Sequence, residues 1–457
     1  MAMPETIPLL PVPPKRRLSF PLLILKTISN PIASWSQDFY DEPVVFYRSL
    51  GIETLYVMDP ALIQTILLDD SDSFSKNPPH EEILGGLGGK GLLIAEGEAW
   101  RWQRRLAAPL FSPPEVARFV PAFAAAASTV LQRWSKAMPG SSQPIDRDMT
   151  RATLQVLQDT VLGGSLCEDD RRAVERFGTA FLAHTVWKIA FSSLGLPRWT
   201  PHPGALSMAR ASSELRRVAQ RVLDRRRQDG GEAADLLGRL VTARDPSTGS
   251  SMPDSLIIDN VVTFLMAGHE TTAQALTWTL YLLALMPEWQ ERAREEVLCV
   301  AGDEQIGSQH VARLGLLEQI FQEAMRLYPP APALVRVTSK AASVGGIDLK
   351  AGANVLIPIY VVHRHRHLWP EPLRFDPSRF APEAAAGRHR CAYMPFGAGP
   401  RTCIGGAFAM LEGKVMLASL LARARFELPQ GERPVPFSRI TLRPKQGLRL
   451  KVTLLTY

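Results

Sequence analysis

The chain has 457 residues, 46% hydrophobic and 21% charged, with 52 Lys and Arg against 45 Asp and Glu, a net charge of +7. Those fractions match folded soluble proteins and exclude a disordered chain, a collagen and a coiled-coil rod. The mild positive excess is too diffuse to indicate nucleic acid.

In chain order, residues 1–35 read as a Pro-rich arm. Lys15, Arg16 and Arg17 precede an apolar run, 18–25, that resembles the start of a signal peptide. Pro21 interrupts it, Lys26 ends it, and no small-residue cleavage site follows. The run falls short of the ~20 residues a membrane span needs, so the expectation is a cytoplasmic protein with no transmembrane anchor. Helical spacing of apolar residues predicts helices over 98–110, 115–137, 148–162, 205–227, 254–285, 287–300 and 308–327. The longest, 254–285, has Asp254 as its N-cap and Pro287 just beyond its end. Short β-prone runs lie at 334–338, at 354–359 and in a pair around 440–455. Length alone allows about three domains. The absence of βαβ alternation, repeats and linkers favours one domain over 36–457, mainly α with small β-sheets.

Three motifs are discarded on context. Residues 86–91 match GxGxxG, but no strand precedes them and no helix opens at the last glycine, so a flexible loop is expected. His269-Glu270 begins an HExxH pattern that fails at Ala273. His363, His365 and His367 alternate, but Arg364, Arg366 and Trp369-Pro370 make an ordered polar turn the better reading than a metal site.

The four cysteines, at 167, 299, 391 and 403, contain no CxxC pair and are too scattered for a disulfide scaffold or a structural zinc site. Cys403 stands apart. A glycine-rich loop, Phe396-Gly397-Ala398-Gly399-Pro400-Arg401-Thr402-Cys403-Ile404-Gly405, delivers it to the start of an apolar helix over 404–422. There the helix dipole and free backbone N–H groups would favour the metal-ligating thiolate; a buried, inert thiol is the plain alternative.

The loop resembles the haem-binding FxxGxRxCxG of the cytochrome P450 family, and further segments resemble that family in the same order. Glu323-Ala324-Met325-Arg326 resembles its ExxR helix, and Pro377-Ser378-Arg379-Phe380 its PxRF segment. Trp100 and Arg104 match WxxxR, and Ala267-Gly268-His269-Glu270-Thr271-Thr272 resembles (A/G)Gx(D/E)TT. Read alone, the Thr–Thr pair would be packing with back-bonding to carbonyls one turn earlier.

The resemblance spans 97–410 and implies a P450 fold binding haem b. Cys403 would be the axial iron ligand, with Phe396 shielding the sulfur and Gly397 and Gly405 in the same cofactor-binding loop. Arg401, Trp100, Arg104 and Arg336 would face propionates. Glu323, Arg326 and Arg379 would form a structural network behind the haem. Ala267 and Gly268 would leave room for O2, Thr271 would hydrogen-bond a distal oxygen, and Glu270 would relay protons from solvent. Phe264, Ala267, Ala333, Leu334 and Leu92 are expected in the substrate pocket.

The implied activity is haem-thiolate monooxygenation, inserting one oxygen atom from O2 into a hydrophobic organic molecule by hydroxylation or epoxidation. No flavin or iron–sulfur region remains in the chain. NAD(P)H electrons are therefore expected indirectly, through a ferredoxin or flavodoxin-type donor with its reductase. Arg101, Arg105, Arg388, Arg390 and Lys414 are candidates for the docking face of an acidic donor on a monomeric enzyme. The rival readings are a peroxide-driven peroxygenase and a haem-bound sensor or ligand carrier without turnover.

Overall fold

Proline marks where several of the helices start. The computed structural model describes residues 7 and 10–455, except 50, 139, 198, 229–234 and 246–247. Its longer helices are α1 (Phe20–Ser29), α2 (Pro79–Gly88), α3 (Gly97–Ala107), α4 (Val120–Ser135), α5 (Ile145–Thr160) and α6 (Glu168–Leu182). They continue with α7 (Thr185–Ser193), α8 (Ala205–Gln228), α9 (Asp254–Leu285), α10 (Pro287–Ala301), α11 (Gly315–Leu327) and α12 (Gly406–Arg423). Proline occupies the first turn of α1, α2 and α10. The missing N–H costs nothing at that position.

That placement corrects the reading of 18–25. Pro21 does not interrupt a run but opens α1, which buries Leu23 and Ile24. The arm packs on the body: the Ile7 N–H donates to Leu373 O at 2.8 Å, and the Tyr360 hydroxyl donates to Leu10 O at 2.8 Å. No helix among the described residues is long and apolar enough to cross a membrane.

The strands are β1 (Val44–Ser49), β2 (Ile52–Val57), β3 (Phe74–Ser75), β4 (Ser142–Pro144) and β5 (Leu334–Thr338). The rest are β6 (Asn354–Ile357), β7 (Ala424–Glu427), β8 (Pro436–Ser438), β9 (Leu442–Pro444) and β10 (Arg449–Leu454). A five-stranded sheet runs β1-β2-β6-β5-β3, a three-stranded one β4-β10-β7, and β8 pairs with β9. Only β2 and β6 pair in parallel within the larger sheet, and Arg336 lies opposite Val355 in the β5–β6 register.

The architecture is thus mainly helical with small sheets, built around α9. This helix packs against α5, α8, α11 and α12 and is buried over almost its whole length, as an all-round apolar helix must be. Thr263, Thr277 and Thr279 satisfy their hydroxyls on carbonyls four residues earlier. The break in burial lies mid-helix, where Ala267 is exposed and Gly268 and Thr271 are half-buried. Internal space therefore opens against the middle of a core helix.

Candidate active site

The cysteine loop closes on itself. The Cys403 N–H donates to Phe396 O at 2.8 Å, and the Thr402 hydroxyl to the same oxygen at 3.3 Å. Gly399 has φ +75°, and a Cβ there would lie 1.9 Å from Leu67 O, so only glycine allows this approach. Cys403 is accessible, yet burial pushes its thiol pKa up, against the Gly405 N–H and the Arg104 and Lys76 charges, which pull it down. A thiol both accessible and poorly solvated faces an enclosed chamber. The expected thiolate bias is outweighed: the helix begins only at Gly406 and desolvation dominates. A bound metal would supply what the helix end does not, since ligation itself deprotonates a thiol.

Around the chamber gathers a surplus of positive charge. Arg401 stacks 4.0 Å from the Trp100 ring centroid and donates to Ala95 O at 2.7 Å. Arg104 lies 5.8 Å from the same ring and donates to Thr402 O at 3.0 Å. Lys76 joins them, a residue that sequence reasoning missed because nothing in Ser75-Lys76-Asn77 marks it. Burial pushes its ammonium down to about 7, helped by Arg336, Arg401 and Arg104, with Glu96 opposing. Burial and Arg401 likewise bring Arg336 down to about 10. Glu96 is already engaged, accepting from the Ser75 hydroxyl at 2.9 Å and the Lys76 N–H at 3.1 Å.

A haem needs an axial ligand for iron and cations for two propionates. A cysteine sulfur on a desolvated chamber with four basic side chains converging beside it meets both needs, so the donor set fits the group.

On α9, the Thr271 hydroxyl donates to Ala267 O at 2.8 Å. Gly268 is also required small by its neighbour: a Cβ there would meet Leu157 Cδ1 at 2.8 Å, so the glycine admits α5. Glu270 points away from open solvent. Its Oε1 lies 3.0 Å from Arg443 Nη2 and accepts from the Thr441 hydroxyl at 3.2 Å and Gln274 Nε2 at 3.3 Å. The residue expected to relay protons is thus a buried carboxylate, held through Oε1 in an ion pair with the β9 strand.

Glu323 and Arg326 are fully buried and joined by two hydrogen bonds, at 2.6 and 2.7 Å. Arg326 also donates to His363 O and Pro372 O at 2.8 Å and to Arg374 O at 3.0 Å. Arg379 Nε stands 3.6 Å from Glu323 Oε1, an ion pair without a hydrogen bond. His363 accepts from the Met394 N–H at 2.9 Å and so anchors the approach to the cysteine loop. Among the described residues no group of side chains could hold a free metal ion.

Residues 86–91 are not a flexible loop. α2 runs to Gly88, and the turn after it is pinned to α9. Asp259 accepts from the Lys90 N–H at 2.8 Å and from Arg216 of α8 at 2.5 Å, and Asn260 accepts from the Leu92 N–H at 3.0 Å. A Cβ on Gly89, at φ +50°, would sit 2.2 Å from the Asp259 carboxylate.

Ala333 lines a cavity of about 240 Å³. The other expected pocket residues are not on its lining: Leu92 is buried on this turn, and Phe264 stacks on Phe111 at 5.8 Å. Leu334 lies beside Gly397 in the cysteine loop, 3.7 Å from where a Cβ would be. On the surface, Arg101, Arg105 and Arg390 are exposed. Lys414 is buried against Glu318 at 2.7 Å, and Arg388 is half-buried 4.5 Å from the Trp369 ring, so neither is exposed on the surface.

A sequence model of the cytochrome P450 family matches residues 11–452. The chain is 31% identical to a cytokinin hydroxylase of Arabidopsis thaliana, over 91% of this chain and 81% of that protein. It is 31% identical to the cyclooctat-9-en-7-ol 5-monooxygenase of Streptomyces melanosporofaciens, over 82% and 80%. The structure matches the crystal structure of the cytochrome P450DA heme domain with a TM-score of 0.80 at 26% identity, covering 91% of this chain and 90% of that one.

Proposed function

The chain belongs to the cytochrome P450 family and is a P450 monooxygenase, and from that premise we propose that it hydroxylates or epoxidises a hydrophobic organic substrate with O2 and electrons from a separate protein. The observation that carries this reading is Cys403, accessible on a desolvated chamber beside four basic groups. Haem bound there supplies oxygen activation, which a thiolate ligand assists by donating electron density.

The chain's own residues do the rest. Cys403 would ligate the iron, and Arg104, Arg336, Arg401 and Lys76 would hold the propionates, with Trp100 bracing two of the guanidiniums. Thr271 is one bond rotation from donating its hydroxyl proton into the chamber instead of to Ala267 O. The three contacts of Glu270 all fall on Oε1, so Oε2 is the oxygen that takes up and passes on a proton. Electrons enter from a ferredoxin or flavodoxin-type donor docked at Arg101, Arg105 and Arg390, its reductase drawing on NAD(P)H.

The test is the absorption spectrum of the reduced, CO-treated protein together with product formation. A strongly red-shifted Soret band that Cys403→Ser abolishes, and product that depends on a reductase pair, support the proposal. An unshifted band, or product formed with peroxide alone and not with a reductase pair, overturns it.

A further inference from the structure

The cavity that Ala333 lines is walled by apolar side chains from α1, α2 and the larger sheet, among them Leu23, Ile83, Val335 and Leu356. Of the residues on its lining, Arg439 carries the one charge. Burial, Lys76 and neighbouring guanidiniums press His80, also on the lining, down to about 3, so it is neutral.

Arg439 sits in the turn between β8 and β9. Its Nε is buried with no hydrogen-bond partner, and no carboxylate pairs with its guanidinium among the described residues. Its flat face rests 5.1 Å from the Phe437 ring centroid, which fixes the plane and leaves the N–H edge free. The neighbouring charge is another cation, Arg443, already committed to Glu270 at 3.0 Å. A half-buried cation, stacked, unpaired and next to a like charge, is an unfilled half of an ion pair.

We propose that Arg439 is the substrate anchor of this pocket, and that the substrate is an amphipathic carboxylic acid whose carboxylate Arg439 binds while its apolar body fills the cavity. The proposal rests on the monooxygenase reading, deepening it by a substrate class. A carboxylate accepts two parallel N–H bonds from a guanidinium and matches its charge; an alcohol of the same chain length offers neither. The buried Tyr47 hydroxyl, a second lining atom without a partner, adds a donor that does not discriminate by charge.

The test titrates the haem-loaded enzyme with dodecanoic acid and with dodecan-1-ol, following binding by calorimetry and by the spin-state shift. The acid should bind about 10- to 100-fold more tightly, the range of a charge-assisted hydrogen-bonded contact. Arg439→Gln should abolish the gap by weakening the acid alone, and Arg439→Lys should keep most of it. Equal affinities in the parent, a gap that survives Arg439→Gln, equal weakening of both probes, or binding of neither overturns the proposal. Failure of the monooxygenase reading shows separately, as loss of the red-shifted CO band in the parent enzyme.

Discussion

The buried acid–base pair of α11 depends on both its partners at once. Arg326 satisfies both oxygens of Glu323 and three backbone carbonyls from the segment 363–374. Arg326→Leu would strip the buried Glu323 of both its side-chain hydrogen bonds, with the 3.6 Å contact to Arg379 as its remaining ion pair, and should cost about 3–5 kcal/mol of stability, measured by urea unfolding. Arg379→Ala should cost much less, because its 3.6 Å contact makes no hydrogen bond. Of these three residues the sequence shows the i,i+3 pair most directly, since helix geometry alone brings it together. Lys76, Arg439 and Arg443 were not legible, because their meaning comes from neighbours far away in the chain. Gly268 was legible as small but not as to which neighbour needs it small.

Single side chains on α9 tie several elements together. Asp259 bridges the turn at Lys90 and Arg216 of α8, and the adjacent Asn260 holds Leu92 and, through Gln103, α3. Asp259→Asn keeps one acceptor but loses the charge that holds Arg216. Amide hydrogen exchange should therefore quicken in residues 86–92 and in α8, with α5 unchanged; equal exchange throughout would show that the carboxylate does not hold this junction. The bounds of α9 were readable because apolar spacing and Pro287 coincide with its ends. α1 and the turn after α2 were misread for opposite reasons. A proline in a first turn resembles a break, and glycines that admit a carboxylate resemble slack.

At the scale of the whole molecule, three of the five cations expected to dock an electron donor stay exposed. Arg105 and Arg390 are exposed, as is Arg101 beside Glu98, whereas Lys414 and Arg388 are not. Reversing the charges of Arg101, Arg105 and Arg390 together should slow reduction by an acidic donor and flatten its dependence on salt. Stopped-flow reduction across a salt series checks this, and unchanged kinetics would remove the docking face. The four cations gathered near Cys403, Lys76, Arg104, Arg336 and Arg401, have a different consequence, for the life of the polypeptide. Like charges gathered in a poorly solvated place oppose folding until a dianionic ligand neutralises them, so ligand capture and completion of the fold are one linked equilibrium. Supply then governs survival. A chain synthesised faster than its ligand arrives waits in its weakest form, and cellular quality control treats a shortage of cofactor as misfolding.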